Sequence, residues 1–413
     1  MKRLLLVVVI ALGVVAPLVA GQGIAAAIQE YTIPVILDFS GPFAENSPIF
    51  VRVQKGIFAW WNDAVGKNMG IKLNPRVYDG RYDASVIASM WPGILAECKP
   101  IVLVGMGGAD AAALQQRLPR DKVPATYGSG SYGYEWLPEQ WLFHTRPTWV
   151  QEKLAAIEWF IKTYPEKKPV KLAIAVVNVP PALDFRKGLE KYFQEVLEPK
   201  GLGKVAAVEY MDITPVDISN QVKKIVDAKA DLVTGIVTPA MMAAYMRACQ
   251  LYGVNIPTIG AGHETVWPYA RAMKTFAPFE GHLVVGCVAS TTDKNSQAYQ
   301  FFKTLQKSYG LKEEDWNPQN MIPFGQSIFT VRAIERAAKK VGGANLAGQA
   351  VYDAIQSGPF SHEELMGILP AISFTKEAPF PTGKLQATIE TVRNGTYVLA
   401  TPEWVPVPEV TKW

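Results

Sequence analysis

The chain has 413 residues, 49% of them hydrophobic and 19% charged, with a formal net charge of +4. So small an excess, with no basic cluster interleaved with aromatics, excludes a nucleic-acid surface. The length allows two or three domains, each with a buried core.

The N-terminus reads Met1-Lys2-Arg3, then an uncharged run from Leu4 to Ala20. A basic start, an apolar stretch and small residues after it predict a secretory signal peptide over residues 1–27 and a periplasmic mature protein. Ala25, Ala26 and Ala27 fit the cleavage rule, which makes Ile28 the first mature residue; cleavage after Ala20 is the alternative. The run is near the lower limit for a membrane-spanning helix, and no cysteine follows it that could carry a lipid. The cysteines Cys98, Cys249 and Cys287 are widely spaced and read as buried thiols. The histidines His144, His263, His282 and His362 show no metal-ligand spacing, so neither metal nor cofactor is expected.

From Tyr31 a strand–helix rhythm runs along the chain. Strands are predicted over 33–39 and 72–78, with helices over 50–64 and 83–97 between and after them. Residues 101–110 (IVLVGMGGAD) give a strand buried on both faces, a glycine turn, and a helix capped by Asp110. The free N–H groups at such a helix start suit an anion, and ligands of open α/β sheets bind at the carboxyl ends of strands. A short strand over 123–126 enters a loop rich in glycine and aromatics, Tyr127 to Trp136. A boundary at 143–147 follows.

The rhythm then restarts. Helices are predicted over 150–164, from Asp184, over 218–227 and over 240–251. Strands alternate with them over 172–177, 206–210, 231–237 and 257–260. Alternation of this kind means doubly wound, mostly parallel sheets. The C-terminal part breaks it, with a strand over 282–289, helices over 296–309, 320–341 and 346–356, a strand over 371–374, and a hairpin over 387–400. Asn394-Gly395 at the hairpin tip signals a type I′ turn.

The order of Leu37-Asp38-Phe39-Ser40-Gly41-Pro42, Tyr78-Asp79, Val102 to Gly105, Asp217 to Ser219 ahead of Val222, and Phe374 before Gly383-Lys384 resembles the leucine/isoleucine/valine-binding protein family. These are type I substrate-binding proteins of ABC importers. The resemblance covers nearly the whole mature chain. It implies an α/β fold of two lobes, each a doubly wound, mostly parallel sheet flanked by helices. Residues 28–145 and 286–380 would form the first lobe, and 146–285 with 381–413 the second. Three hinge crossovers would lie near Arg146, Val285 and Phe380. The implied function is capture of a small molecule in the cleft by a monomer, and its delivery to a permease and ATPase complex in the inner membrane.

The resemblance also nominates site residues. Phe43 to Asn46 would reach the ligand from the loop after the first strand. Gly108, Ala109 and Asp110 occupy the place where the family presents a serine pair to a carboxylate. Here that hydroxyl is missing and a carboxylate stands nearby, which weakens the case for an amino acid. Ser129 or Ser131, with Gly130, would offer a hydroxyl. From the second lobe come Phe185 as a closing aromatic, Thr238 at another cleft position, and Glu264, beside His263, as the acid for a ligand's amino group. A branched-chain amino acid and a small aromatic acid or amide both remain open, the latter because Tyr132, Tyr134 and Trp136 could stack on a ring.

Enzyme readings find little. Asp110 stands where the third glycine of a dinucleotide fingerprint belongs, and Ser129 to Gly133 lacks the first glycine of a nucleophile elbow. A secreted hydrolase and a ligand-sensing partner of a membrane receptor are the alternative classes.

Overall fold

The structure, a computed structural model, describes residues 28–41, 43–128, 139–262, 264–376 and 380–413. The expected signal peptide, Ser129, Gly130, Ser131, His263 and most of the aromatic loop lie outside the described residues. No described helix is long and apolar enough to cross a membrane.

The first sheet has strands β1 (Gln29–Leu37), β2 (Ile71–Asp79), β3 (Leu103–Gly105), β4 (Ala125–Tyr127) and β5 (Leu142–His144), all parallel, in the order β2-β1-β3-β4-β5. The segment expected to be only a boundary therefore contains the edge strand β5. Its three residues are all buried, which leaves no alternation to read. Helices α1 (Ser47–Trp61), α2 (Ala84–Cys98) and α3 (Ala109–Leu114) connect these strands. Asp83 caps α2, its carboxylate accepting the N–H groups of Ser85 and Val86. The helix expected to start at Asp110 instead starts at Ala109, with Gly108 at the cap position.

The second sheet contains β6 (Val170–Val177), β7 (Gly203–Met211), β8 (Leu232–Thr234), β9 (Thr258–Ala261), β10 (Leu283–Gly286), β11 (Gln386–Arg393) and β12 (Thr396–Leu399). Their order is β12-β11-β10-β9-β8-β6-β7, antiparallel only at β10–β11 and β11–β12. Helices α4 (Trp149–Thr163), α5 (Pro180–Tyr192), α6 (Ser219–Asp227), α7 (Pro239–Tyr252) and α8 (Trp267–Met273) accompany it. The sequence reading missed α8 and started α5 four residues late, because Pro180 and Pro181, read there as loop, occupy its first turn. Helices α9 (Gln297–Ser308), α10 (Met321–Val341) and α11 (Gly348–Ile355) follow. The strand expected over 371–374 is reduced to isolated bridges at Ile372 and Ser373.

Burial separates two hydrophobic cores. One gathers residues from Ile33 to Phe143 and from Ala289 to Leu385. The other gathers Trp149 to Cys287 and Ala387 to Tyr397. The chain thus passes between the cores at 143–149, at 287–289 and at 385–387. All three cysteines are buried and unbridged.

Candidate ligand-binding site

The carboxyl ends of strands from both sheets converge on one cavity of about 230 Å³. On the side of the first sheet it is lined by Phe43 and Asn46 after β1, Tyr82 after β2, and Met106, Gly107, Gly108 and Ala109 after β3. The opposite side is made by Trp149 at the start of α4, Val177 and Val179 at the end of β6, Pro181 and Ala182 in α5, Ile213 after β7 and Val237 after β8. Ile322 of α10 closes one end. None of these lining residues carries a formal charge. An apolar cavity of about 150 Å³ holds benzene, so this one suits a single ring or a short aliphatic chain.

The wall from the first sheet is tightly determined. Gly107 and Gly108 have φ of 101° and 74°, and a Cβ on Gly108 would stand 2.7 Å from the Tyr82 hydroxyl. Only glycine lets the loop lie that close to the phenol. Tyr82 is itself left-handed, with φ of 53°, and is held by its N–H donating to the Asp38 carboxylate at 2.7 Å. Its ring meets Phe43 edge-on at 4.9 Å. The Asn46 amide oxygen accepts a hydrogen bond from Gln319 at 2.8 Å. Asp79 accepts the N–H groups of Phe39 and Arg81, which ties the β1 and β2 loops together.

Of the residues nominated from sequence, Phe43, Asn46, Gly108 and Ala109 line the cavity. Asp110, Phe185, Thr238 and Glu264 do not. Asp110 is buried behind the glycine loop, accepting the Met106 N–H at 2.8 Å and the Ala111 N–H at 3.0 Å. Burial, with Asp38 adding repulsion, raises its carboxyl to about 8. Phe185 is buried one layer back, edge-on to Trp149 at 6.3 Å. Thr238 caps α7 and donates to the Ile213 carbonyl at 2.6 Å, so it carries the wall without forming it. Glu264 points into the protein and pairs with Lys153. Tyr82, Trp149 and Ile213 are among the lining residues that sequence reasoning missed. A tyrosine in a turn, a tryptophan at a helix start and an isoleucine after a strand have no pattern that marks them.

A buried charge network lies where the chain passes between the cores. Arg146 donates through Nε to Glu152 at 3.0 Å, with a second bond from its Nη2, and Glu152 also accepts the Cys287 N–H at 3.2 Å. Lys153 donates to Glu264 and to the Ile259 carbonyl. Burial lowers the Lys153 ammonium, with Glu264 opposing that shift. Two opposite-charge pairs thus join the start of α4 to β9 and to the segment after β10.

A family model described as periplasmic binding protein matches residues 30–385. No curated protein matches the chain. Among solved structures, a branched-chain amino acid ABC transporter protein from Thermus thermophilus with bound valine is 16% identical, with a TM-score of 0.76 over 92% of this chain and 97% of that one. A solute-binding protein of an ABC transporter from Rhodopseudomonas palustris in complex with p-hydroxybenzoic acid is 18% identical, with a TM-score of 0.71 over 93% and 99%. A fatty acid ABC transporter substrate-binding protein from Thermomonospora curvata is 16% identical, with a TM-score of 0.73 over 93% and 94%. At such identities the likeness is one of fold.

Proposed function

Because the chain belongs to the periplasmic binding protein family, we propose that it captures a small apolar or aromatic solute between its two lobes and delivers it to an ABC importer. The observation that carries this reading is the cavity at the carboxyl ends of strands from both sheets, walled by apolar and aromatic groups. The lobes follow the two cores, and the passages at 143–149, 287–289 and 385–387 act as the hinge on which they close.

The lining favours an aromatic or aliphatic carboxylate, or its amide, over an amino acid. An α-ammonium group needs an anion or several acceptors near it. Glu264, nominated for that part, is engaged by Lys153, and no acidic side chain is among the described lining residues. A carboxylate fits better, because the backbone turns at Gly107 and Gly108 and the first N–H groups of a helix have no intrahelical partner. Structures of this fold described with bound valine, in complex with p-hydroxybenzoic acid and as a fatty acid transporter's binding protein are in keeping with a small apolar or aromatic solute.

The test is thermal unfolding of protein stripped of bound solute, against valine, leucine, benzoate, benzamide and octanoate. A ligand that binds only the folded state raises the transition by mass action. A rise with benzoate or octanoate supports the reading. A rise with valine or leucine alone overturns the preference for solutes without an ammonium group.

A further inference from the structure

The wall behind the glycine loop contains an acid that the cavity itself does not expose. Asp110 is 2% exposed and Asp38 is 4% exposed. They flank Tyr82: Asp38 accepts its N–H, while its ring and hydroxyl lie against Gly108, two residues before Asp110. The Asp110 Oδ2 is in contact range of Gly105, where a Cβ would stand 2.2 Å from it, and the Tyr127 ring presses on the same point. The Asp38 Oδ2 is buried without a hydrogen-bond partner among the described residues. No cation is paired with either carboxyl among the described residues; the titratable neighbours are Asp79 and Tyr82, and Tyr127, with the His144 ring tilted against it at 5.8 Å. A buried carboxylate without a counter-ion is expensive, and two of them near one another cannot both stay ionised cheaply.

We propose that Asp110 holds a proton behind the Met106–Ala109 loop and thereby sets the charge the cavity accepts, so that an anionic ligand binds to the protonated protein and is rejected once that proton is lost. The inference rests on the carboxylate reading above and goes beyond it by naming a charge-setting residue that does not touch the ligand. A protonated Asp110 lets the N–H groups of Gly107, Gly108 and Ala109 meet a carboxylate without a like charge behind them, while the Met106 N–H stays on Asp110. An ionised Asp110 would face the bound anion across one thickness of backbone, in a region without solvent to screen it. Asp38 contributes by repulsion: its own charge strengthens the hold of Asp110 on the proton.

The experiment measures binding of benzoate and of its neutral isostere benzamide by calorimetry, from about pH 6 to about pH 9. It uses the wild type and Asp110→Asn, which keeps an acceptor for the Met106 N–H. When only the protonated form is competent, the apparent Kd rises by up to about tenfold per pH unit above the Asp110 value. The expected result is that benzoate weakens with rising pH on the wild type and is independent of pH on Asp110→Asn, with benzamide flat on both. Asp38→Asn should move the wild-type transition to lower pH, because it removes the neighbouring charge. A flat benzoate profile on the wild type overturns the proposal, as does an unchanged slope on Asp110→Asn. If octanoate binds and benzoate does not, the same pH profile read with octanoate decides the proposal; if only valine or leucine binds, this proposal falls and solute binding stands; if nothing in that panel binds, both fall.

Discussion

Lys153 and Glu264 are 111 residues apart in sequence and meet in the interior, the ammonium donating to the carboxylate and to the Ile259 carbonyl. Both side chains are almost wholly withdrawn from solvent. The pair therefore ties the start of α4 to β9 and to the loop after it. The Glu264 carboxylate is thus engaged within the protein.

Removing one partner strands a buried charge, which costs about 3–5 kcal/mol. Lys153→Met and Glu264→Gln should each destabilise the protein by about that much in urea titrations. The double variant Lys153→Met/Glu264→Leu should recover most of the loss, since an apolar pair of similar volume replaces both ions. Solute affinity of the folded Glu264→Gln protein should match the wild type, and a large loss of affinity would place Glu264 at the ligand after all.

Gly108→Ala should damage the cavity more than the fold. The new Cβ would stand 2.7 Å from the Tyr82 hydroxyl, and φ of 74° is strained for any residue but glycine. Such strain costs about 1–3 kcal/mol. Tyr82→Phe in the same chain removes the clashing oxygen and should restore part of the loss. Solute titrations of the single and double variants read the effect; equal affinity in Gly108→Ala and wild type would contradict the placement of Tyr82.

The strand–helix rhythm was legible because buried parallel strands are short apolar runs and the helices between them carry a 3.6-residue period. The hairpin turn was legible too: Asn394 and Gly395 have φ of 52° and 67°, the left-handed pair that an Asn-Gly dipeptide favours. At the site, the family resemblance placed Phe43, Asn46, Gly108 and Ala109, which follow two strands that the sequence shows. The second half of the cavity was harder. Its wall is made by Val177, Val179, Ile213 and Val237, which look like ordinary core residues until the two sheets face each other. The resemblance nominated Thr238 and Glu264 in their place, and neither lines the cavity. The Lys153–Glu264 pair had no local signal, because a contact between α4 and the loop after β9 is set by tertiary packing alone.

Stability should fall as pH rises between about 6.5 and about 8, and Asp110 should be the cause. Its carboxyl sits at about 8 in the folded chain, against 3.8 when unperturbed. The folded state therefore binds more protons than the unfolded one in this window, and stability declines with pH at up to about 1.4 kcal/mol per unit. His282 acts in the opposite sense and lower down. Burial lowers its imidazole to about 3 from 6.5, so the unfolded chain takes the proton first and stability is lost as pH falls below about 6.5. Asp38, raised to about 6 by burial, opposes His282 in that acid range but adds little above it. Urea midpoints of wild type and Asp110→Asn across the upper window check the claim, and a wild-type curve no steeper than the variant's would refute it.

Filling the cavity should abolish binding without unfolding the protein. Ala182 lies in the first turn of α5 and lines the cavity opposite the glycine loop. A phenylalanine there would project its ring into space that holds only about 230 Å³, displacing a solute of one-ring size. Empty cavity is the least costly place in a protein to add volume, since no close-packed neighbour must give way. Ala182→Phe should therefore unfold at or above the wild-type temperature in the absence of solute, yet show no upward shift with any solute that stabilises the wild type. A preserved shift would mean that the solute sits elsewhere, and the assignment of this cavity as the binding site would fail.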